Sequence, residues 1–138
     1  MGNWDWFGKL HRTVYEKTGG RIGANLAGRH MLLLTTTGRK SGKQYTTPLA
    51  CFTDGDNLIV VASNNGQDRH PAWWLNLEHT PDANVRYGRD HRRVRAELAR
   101  GDERARLWPW LVKQNPPYAR YEKKTSREIP VVVLKQAT

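Results

Sequence analysis

A short cationic loop, Gly38 to Lys43, carries the residue types that would bind an anion. Its two glycines reach positive φ at little cost and so allow backbone N–H groups to turn toward a ligand. Arg39, Lys40 and Lys43 supply positive charge, and Ser41 supplies a hydroxyl donor. These residues predict a site for a phosphate or for a group of carboxylates.

The spacing within this loop differs from two common nucleotide-binding motifs. Three residues separate Gly38 from Gly42, where a P-loop has four, and Gln44 follows Lys43 where a P-loop has Ser or Thr. The dinucleotide fingerprint Gly-x-Gly-x-x-Gly does not occur in the sequence. At this stage a solvated hairpin tip with ordinary surface cations remains an alternative interpretation.

The usual sequence patterns of metal-dependent and hydrolytic catalysis are missing. The five histidines stand nine or more residues apart and lack Cys or carboxylate partners at ligand spacing. There is also no Gly-x-Ser-x-Gly nucleophile elbow and no glycosidase-type pair of carboxylates. An enzyme with this sequence would therefore depend on a bound cofactor for its chemistry.

The charge balance agrees with an anionic ligand but does not identify it. The chain has 138 residues and a formal charge of +10 at pH 7, which fits one domain over residues 1–138. Nucleic acid, an acidic membrane surface and a polyanionic cofactor all satisfy such a charge. The arginines between Arg86 and Arg95, with Tyr87 among them, keep a nucleic-acid-binding module without catalysis as one alternative.

Cysteine content and hydropathy predict a cytoplasmic protein. Cys51 is the only cysteine and lies in an apolar strand pattern, so we expect it to pack in the core rather than to act as a nucleophile. The sequence shows no secretory leader pattern and no apolar run of the roughly 18 residues that a spanning helix needs.

The elements that must position the loop are mostly strands. Leu58 to Ala62 is apolar without alternation, which indicates a strand covered on both faces, and Asp54-Gly55 is a strong hairpin signal. Six strands are predicted in total: Met31–Thr37, Gln44–Phe52, Asn57–Ser63, Ala83–Gly88, His91–Arg100 and Ile129–Lys135.

Apolar spacing predicts an amphipathic helix at residues 3–17, a short helix from Pro71 to His79, and a helix beginning at Gly101. Pro109 should kink that last helix or force it to restart. The short links between strands favour antiparallel pairing, so the fold class is α+β with a closed or nearly closed barrel and flanking helices.

Three sequence blocks, read together, resemble the deazaflavin-dependent nitroreductase family over about residues 30 to 134. The first is Thr-Thr-Gly-Arg-Lys-Ser-Gly-Lys at residues 36–43, followed by Pro48-Leu49. The second is Pro-Ala-Trp-Trp-Leu-Asn-Leu at residues 71–77, and the third places Tyr118 and Tyr121 before Ile-Pro-Val at 129–131.

The resemblance implies a split β-barrel related to FMN-binding flavin reductases and loaded with the 8-hydroxy-5-deazaflavin coenzyme F420. The anionic tail of F420 carries a phosphate and linked glutamates, which would explain the positive charge. The implied activity is hydride transfer from reduced F420 to a quinone, a nitroaromatic or an activated alkene. FMN in the same barrel is the alternative cofactor.

The resemblance also implies roles for individual residues. Arg39, Lys40 and Ser41 would hold the phosphate and tail with help from Lys43, and Tyr118 and Tyr121 would flank the acceptor. The latter two could instead be rings that only cover the barrel mouth. The remaining implied cofactor contacts line the ring or close the groove: Thr46, Thr47, Pro48, Leu49, Ala62, Ser63, Asn64, Trp73 and Asn76.

Three positions depart from the family pattern. Tyr45 and Asn64 replace basic residues that are common in the family, and Asn115 stands where the best-known nitroreductases have a tyrosine. The change at Asn115 puts the reduction of bicyclic nitroimidazoles in doubt. If the acceptor is a lipid quinone, the amphipathic helix at residues 3–17 would bring the protein to the inner face of the cell membrane.

Overall fold

The computed structural model describes residues 30–137, which form one seven-stranded sheet and three α-helices. The amphipathic helix predicted at residues 3–17 lies outside the described residues. The strands are β1 Met31–Thr37, β2 Gln44–Ala50, β3 Phe52–Asp54, β4 Asn57–Val61, β5 Asp82–Tyr87, β6 Asp90–Leu98 and β7 Val131–Gln136. The helices are α1 Ala72–His79, α2 Gly101–Gln114 and α3 Pro117–Lys124, and a 3₁₀ turn spans Asn64–Gly66.

The sheet is antiparallel in all six of its pairings, and its strand order is β2-β1-β5-β6-β7-β4-β3. The two edge strands, β2 and β3, are consecutive in the chain and only Cys51 separates them. The sheet must therefore curl until its edges meet, which agrees with the predicted nearly closed barrel. Pro48 lies in edge strand β2, where a missing backbone donor is tolerated.

The prediction of six strands is wrong because the predicted second strand is two strands. Residues 44–50 pair with β1, whereas Phe52 to Asp54 pair with β4 at the opposite edge of the sheet. At the change of partner, the N–H of Cys51 bonds the carbonyl of His30 at 2.9 Å. The Asp-Gly hairpin signal is confirmed, since Asp54 pairs with Asn57 and Gly55 has φ of 61°.

Pro109 was predicted to kink helix α2 or to make it restart, and the restart does not occur. Helix α2 continues through Pro109 to Gln114. Leu107 and Leu111 are fully buried on either side of the exposed proline, and their packing holds both halves of the helix on the sheet. None of the three helices within residues 30–137 is long and apolar enough to cross a membrane.

Strand β4 is buried on both faces, as its unbroken apolar sequence predicts. Leu58 and Val60 point into the barrel, where they join the cluster that includes Trp74 of α1. Ile59 and Val61 point outward, into the cluster made with α2 and α3. The sheet therefore packs on both faces: one face lines the barrel interior, and the other is covered by a layer of helices.

Cys51 contributes to the interior cluster and is 2% exposed. Burial raises the pKa of its thiol to about 12. A buried thiol with a raised pKa carries little thiolate at neutral pH, so the environment of Cys51 supports the predicted packing role over a nucleophilic one.

Candidate functional site

The cationic loop is the tip of the β1–β2 hairpin, and its backbone closes on itself. The N–H of Gly38 bonds the carbonyl of Lys43 at 2.6 Å, and the N–H of Gly42 bonds the carbonyl of Gly38 at 2.9 Å. Gly42 has φ of 73°, which only glycine adopts readily. The Ser41 hydroxyl accepts the N–H of Lys43 at 3.2 Å and lies 3.2 Å from the Tyr45 hydroxyl.

Gly38 is required for a different reason, namely the close approach of Tyr45. A Cβ on Gly38 would lie 2.6 Å from Cε2 of Tyr45 and 2.9 Å from Oγ of Ser41. The Tyr45 ring therefore packs directly against Gly38, although Tyr45 as a whole is 46% exposed. Tyr45 therefore places an aromatic wall beside the loop.

Asn76 of α1 fixes the position of Arg39. Its Oδ1 accepts two bonds from Arg39, one from the backbone N–H at 3.1 Å and one from Nη1 at 3.0 Å. Its Nδ2 donates to Oγ1 of Thr36 at 3.2 Å. Because Asn76 is 4% exposed, these bonds lie largely out of water and hold the start of the loop against the helix.

A cavity of about 500 Å³ opens between the loop, strand β2 and the start of α1. The first turn of α1 contributes Ala72 and Trp73, and N–H groups in a first turn lack intrahelical partners and carry partial positive charge. Together with Arg39 and Lys40, this turn makes the cavity electropositive. Seven of the predicted cofactor residues line it: Arg39, Lys40, Ser41, Thr46, Thr47, Trp73 and Asn76.

The other predicted cofactor residues lie elsewhere. Lys43 is exposed at the far end of the loop, and Pro48 is exposed on the edge strand. Leu49 packs against the interior cluster. Ala62, Ser63 and Asn64 belong to a separate turn between β4 and α1 and do not line the cavity.

That turn has an unusual backbone, which a neighbouring arginine holds. Asn64 and Asn65 have φ of 46° and 56°, in the left-handed region that residues other than glycine rarely occupy. Arg127, in the segment between α3 and β7, donates Nη2 to the carbonyl of Ser63 at 2.8 Å. Sequence reasoning missed Arg127, because it belongs to no motif and lies 64 residues from Ser63.

Helix α3 packs closely on the same turn. Gly66 approaches Tyr121 so closely that a Cβ on Gly66 would lie 3.0 Å from the Cα of Tyr121. Lys124 adds a bond from Nζ to the carbonyl of Asn65 at 3.3 Å. The position of partly exposed Tyr121 is therefore set by the turn at residues 62–66.

Tyr118 occupies a different environment from Tyr121. It is 5% exposed, and its ring lies 6.1 Å from Phe52 and 6.2 Å from Trp108, between centroids. This burial favours the alternative in which the Tyr118 ring packs instead of contacting an acceptor. Asn115 is likewise buried, and its Oδ1 accepts no hydrogen bond from residues 30–137.

His70 also contacts Arg127: Nη1 of Arg127 lies 3.1 Å from Nδ1 of His70. Burial and the positive charge of Arg127 lower the pKa of His70, and Glu78 opposes this in part. The folded protein therefore favours a neutral ring that accepts the bond at Nδ1. Burial lowers the pKa of Arg127 as well, and Asp68 partly restores it.

This pKa shift predicts a loss of stability on mild acidification. The unfolded chain binds a proton at His70 near the ordinary pKa of about 6.5, whereas the folded protein binds it only at lower pH. The free energy of unfolding should therefore decrease as the pH falls below that value. Melting temperatures measured between pH 7.5 and 5 should decrease less in a His70→Gln variant than in the wild type.

Some pH dependence should remain in that variant, because burial and Arg86 also lower the pKa of His91. A His91→Gln variant therefore measures the contribution of His91 to the pH dependence of stability. A His70→Gln variant that loses stability as steeply as the wild type would contradict the assignment to His70.

Comparisons with known proteins agree with one another. A sequence model of the F420H(2)-dependent quinone reductase family matches residues 6–136. An F420H(2)-dependent quinone reductase of Mycobacterium tuberculosis is 40% identical over 130 residues, covering 91% of this chain and 87% of that protein. A solved F420-H2 dependent reductase has a TM-score of 0.71 at 37% identity, covering 78% of this chain and 95% of that chain.

A more distant structural neighbour extends the similarity in fold. A FAD-binding protein from Mesorhizobium loti has a TM-score of 0.53 at 11% identity and covers 79% of this chain and 80% of that chain. At such identity the similarity concerns the fold alone. Together with the sheet topology and the fold of the F420-H2 dependent reductase, it confirms the predicted α+β split barrel.

Proposed function

The chain belongs to the F420H(2)-dependent quinone reductase family, and we propose that it reduces a quinone with F420H2 held in the electropositive cavity. Membership in this family confirms the cofactor and the oxidoreductase class expected from the sequence. The position of Arg39 is the main observation that supports this site, because the buried Asn76 holds the Arg39 guanidinium at the edge of the cavity.

The residues present fit this cofactor. Its tail is anionic, and Arg39, Lys40 and the first turn of α1 concentrate positive charge at one side of the cavity. Thr46, Thr47 and Trp73 provide a wall without charge, as a planar ring requires. A volume of about 500 Å³ lies in the usual range for small-molecule sites.

When bound, F420H2 supplies the hydride that reduces the acceptor. The roles of the protein would be binding and orientation: Arg39 and Lys40 would hold the tail, and Trp73 would pack on the cofactor. The ring would extend beyond the cavity, whose lining does not include residues 62–64, and would face the backbone of those residues, as the resemblance implies.

Tyr121 is our candidate for orienting the acceptor. Reduction of a quinone to a quinol takes up a proton as well as a hydride, so a hydroxyl near the quinone oxygen would assist. Tyr121 is partly exposed and packs against the turn at Gly66, whereas Tyr118 is buried in the aromatic cluster. We propose that Oη of Tyr121 donates a hydrogen bond to the quinone oxygen.

A quinone is the acceptor named for the family, and the nitroaromatic and activated-alkene acceptors are alternatives. A cytoplasmic enzyme that reduces a lipid quinone must meet it at a membrane surface. We retain peripheral contact through residues 3–17 as a proposal on that ground.

Ligand titration of the purified protein tests this function. We expect F420H2 to bind with a dissociation constant on the order of micromolar, equivalent to about 8 kcal/mol, and to reduce a quinone in steady state. FMN and a short oligonucleotide are the two competing ligands. Binding of the oligonucleotide with steep salt dependence, and of neither cofactor, would refute the proposal. Turnover with a quinone, a nitroaromatic and an enone would rank the acceptors.

A further inference from the structure

The Arg127 side chain donates several hydrogen bonds to one short segment, residues 62–70, which a role as a surface charge would not require. Nε donates to the carbonyl of Gln67 at 2.9 Å, and Nη2 donates to the carbonyl of Ser63 at 2.8 Å. Nη1 donates to the carbonyl of Ala62 at 3.3 Å and lies 3.1 Å from Nδ1 of His70. Four of the five N–H donors of the guanidinium are therefore committed to residues 62–70.

These bonds fix the orientation of two successive peptide planes. In a trans peptide the C=O and the following N–H point in opposite directions. Because Arg127 binds the carbonyls of Ala62 and Ser63, the N–H groups of Ser63 and Asn64 face away from it. Neither N–H donates to an acceptor within residues 30–137.

The segment needs such a restraint, because its conformation is costly. Two successive asparagines, Asn64 and Asn65, occupy positive φ. Asparagine tolerates this region better than most residues, but two such residues in succession persist only where the surrounding structure holds them. The carbonyl of Ser63 accepts a second bond from the N–H of Gly66 at 2.8 Å, which closes the turn. Arg127 donates Nη2 to the same carbonyl.

We propose that Arg127 is a positioning residue that sets the backbone of residues 62–64 for the cofactor ring. The proposal rests on the proposed function, because it assumes that this backbone faces the ring. Arg127 acts through the peptide groups, since its own donors are occupied by the protein. A planar fork suits this role, and a lysine ammonium could not span the same acceptors.

The same arginine links the turn to the helix that carries the candidate acceptor residue. Its own N–H donates to Oγ1 of Thr125, directly after α3, at 3.3 Å. The N–H of Ala62 bonds the carbonyl of Pro130 at 2.9 Å, next to β7. Arg127 therefore joins the ring-facing turn and the base of α3 into one unit.

The experiment compares Arg127→Met with Arg106→Met. Both variants lose one positive charge, but Arg106 only pairs with Asp54, at 2.8 Å on the surface. Fluorescence titration of F420H2 should give a dissociation constant raised at least about tenfold in Arg127→Met and changed less than about twofold in Arg106→Met. Amide hydrogen exchange in cofactor-free protein should become faster at residues 63–66 in Arg127→Met alone.

Arg127→Lys provides the second variant and keeps the charge. We expect its dissociation constant to resemble that of Arg127→Met, and this variant decides the outcome if Arg127→Met does not fold. If the Arg127 variants melt earlier yet bind F420H2 like the wild type, Arg127 only stabilises the fold and the proposal is wrong. Failure of the wild type to bind F420H2 would instead refute the proposed function, and this role with it.

Discussion

A double variant, Arg39→Ala with Lys40→Ala, is expected to raise the dissociation constant of F420H2 by about a hundredfold or more. A hydrogen bond to a charged group contributes about 1.5–3 kcal/mol, so two such contacts contribute about 3–6 kcal/mol. Each 1.4 kcal/mol changes the constant about tenfold. Fluorescence titration at physiological ionic strength measures the change directly.

The matched control removes the same two residue types from another surface. Arg100 and Lys113 are exposed, one just before α2 and the other in its last turn. Arg100→Ala with Lys113→Ala lowers the net charge equally, yet should change the constant less than about threefold, because distant surface charges are largely screened. Equal weakening by both double variants would mean that net charge alone attracts the cofactor.

Asn76→Asp separates the charge of Arg39 from its position. Aspartate keeps an acceptor for both donors of Arg39, and the Thr36 hydroxyl, which accepts a bond from Nδ2 of Asn76, can donate to the second aspartate oxygen instead, so the loop should remain in place. Its negative charge, however, would neutralise the guanidinium beside the cavity. Weaker F420H2 binding by a variant that still folds would identify the charge, and not only the shape, as the feature that binds the tail.

The scaffold was predictable wherever local sequence determines the structure. The β-propensity of Met31–Thr37 and the Asp-Gly turn depend on neighbouring residues, and both predictions held. The division at Cys51 depends on which distant strand each half pairs with. Local residues do not encode that choice, so the predicted second strand appeared continuous.

The candidate site divides in the same way. The cavity cations lie in one contiguous loop, and a motif could therefore identify them. The contacts of Asn76 and Arg127 join segments 37 and 64 residues apart, and only the folded chain brings these together. Tyr118 and Tyr121 lie one helical turn apart, but one ring enters the aromatic cluster and the other stays partly exposed.

Among the glycines of residues 30–137, Gly66 is expected to be the most costly to replace by alanine, at about 2–5 kcal/mol in the free energy of unfolding. A side chain at its φ of 79° costs about 1–2 kcal/mol. Overpacking adds about 1–3 kcal/mol, because the new Cβ would meet backbone atoms of Tyr121 at 3.0 and 3.2 Å. Backbone cannot rotate away as a side chain can, so α3 must move.

Gly55→Ala isolates the first of these two costs. Gly55 has φ of 61°, but a Cβ there would meet nothing within 4 Å. Urea unfolding should therefore show a loss of about 1–2 kcal/mol for Gly55→Ala and a clearly larger one for Gly66→Ala. Equal losses would mean that α3 yields without cost. A displaced α3 would also move Tyr121, the candidate acceptor residue. Of the two variants, only Gly66→Ala should therefore raise the KM for the quinone, because the close packing of this turn positions the acceptor site.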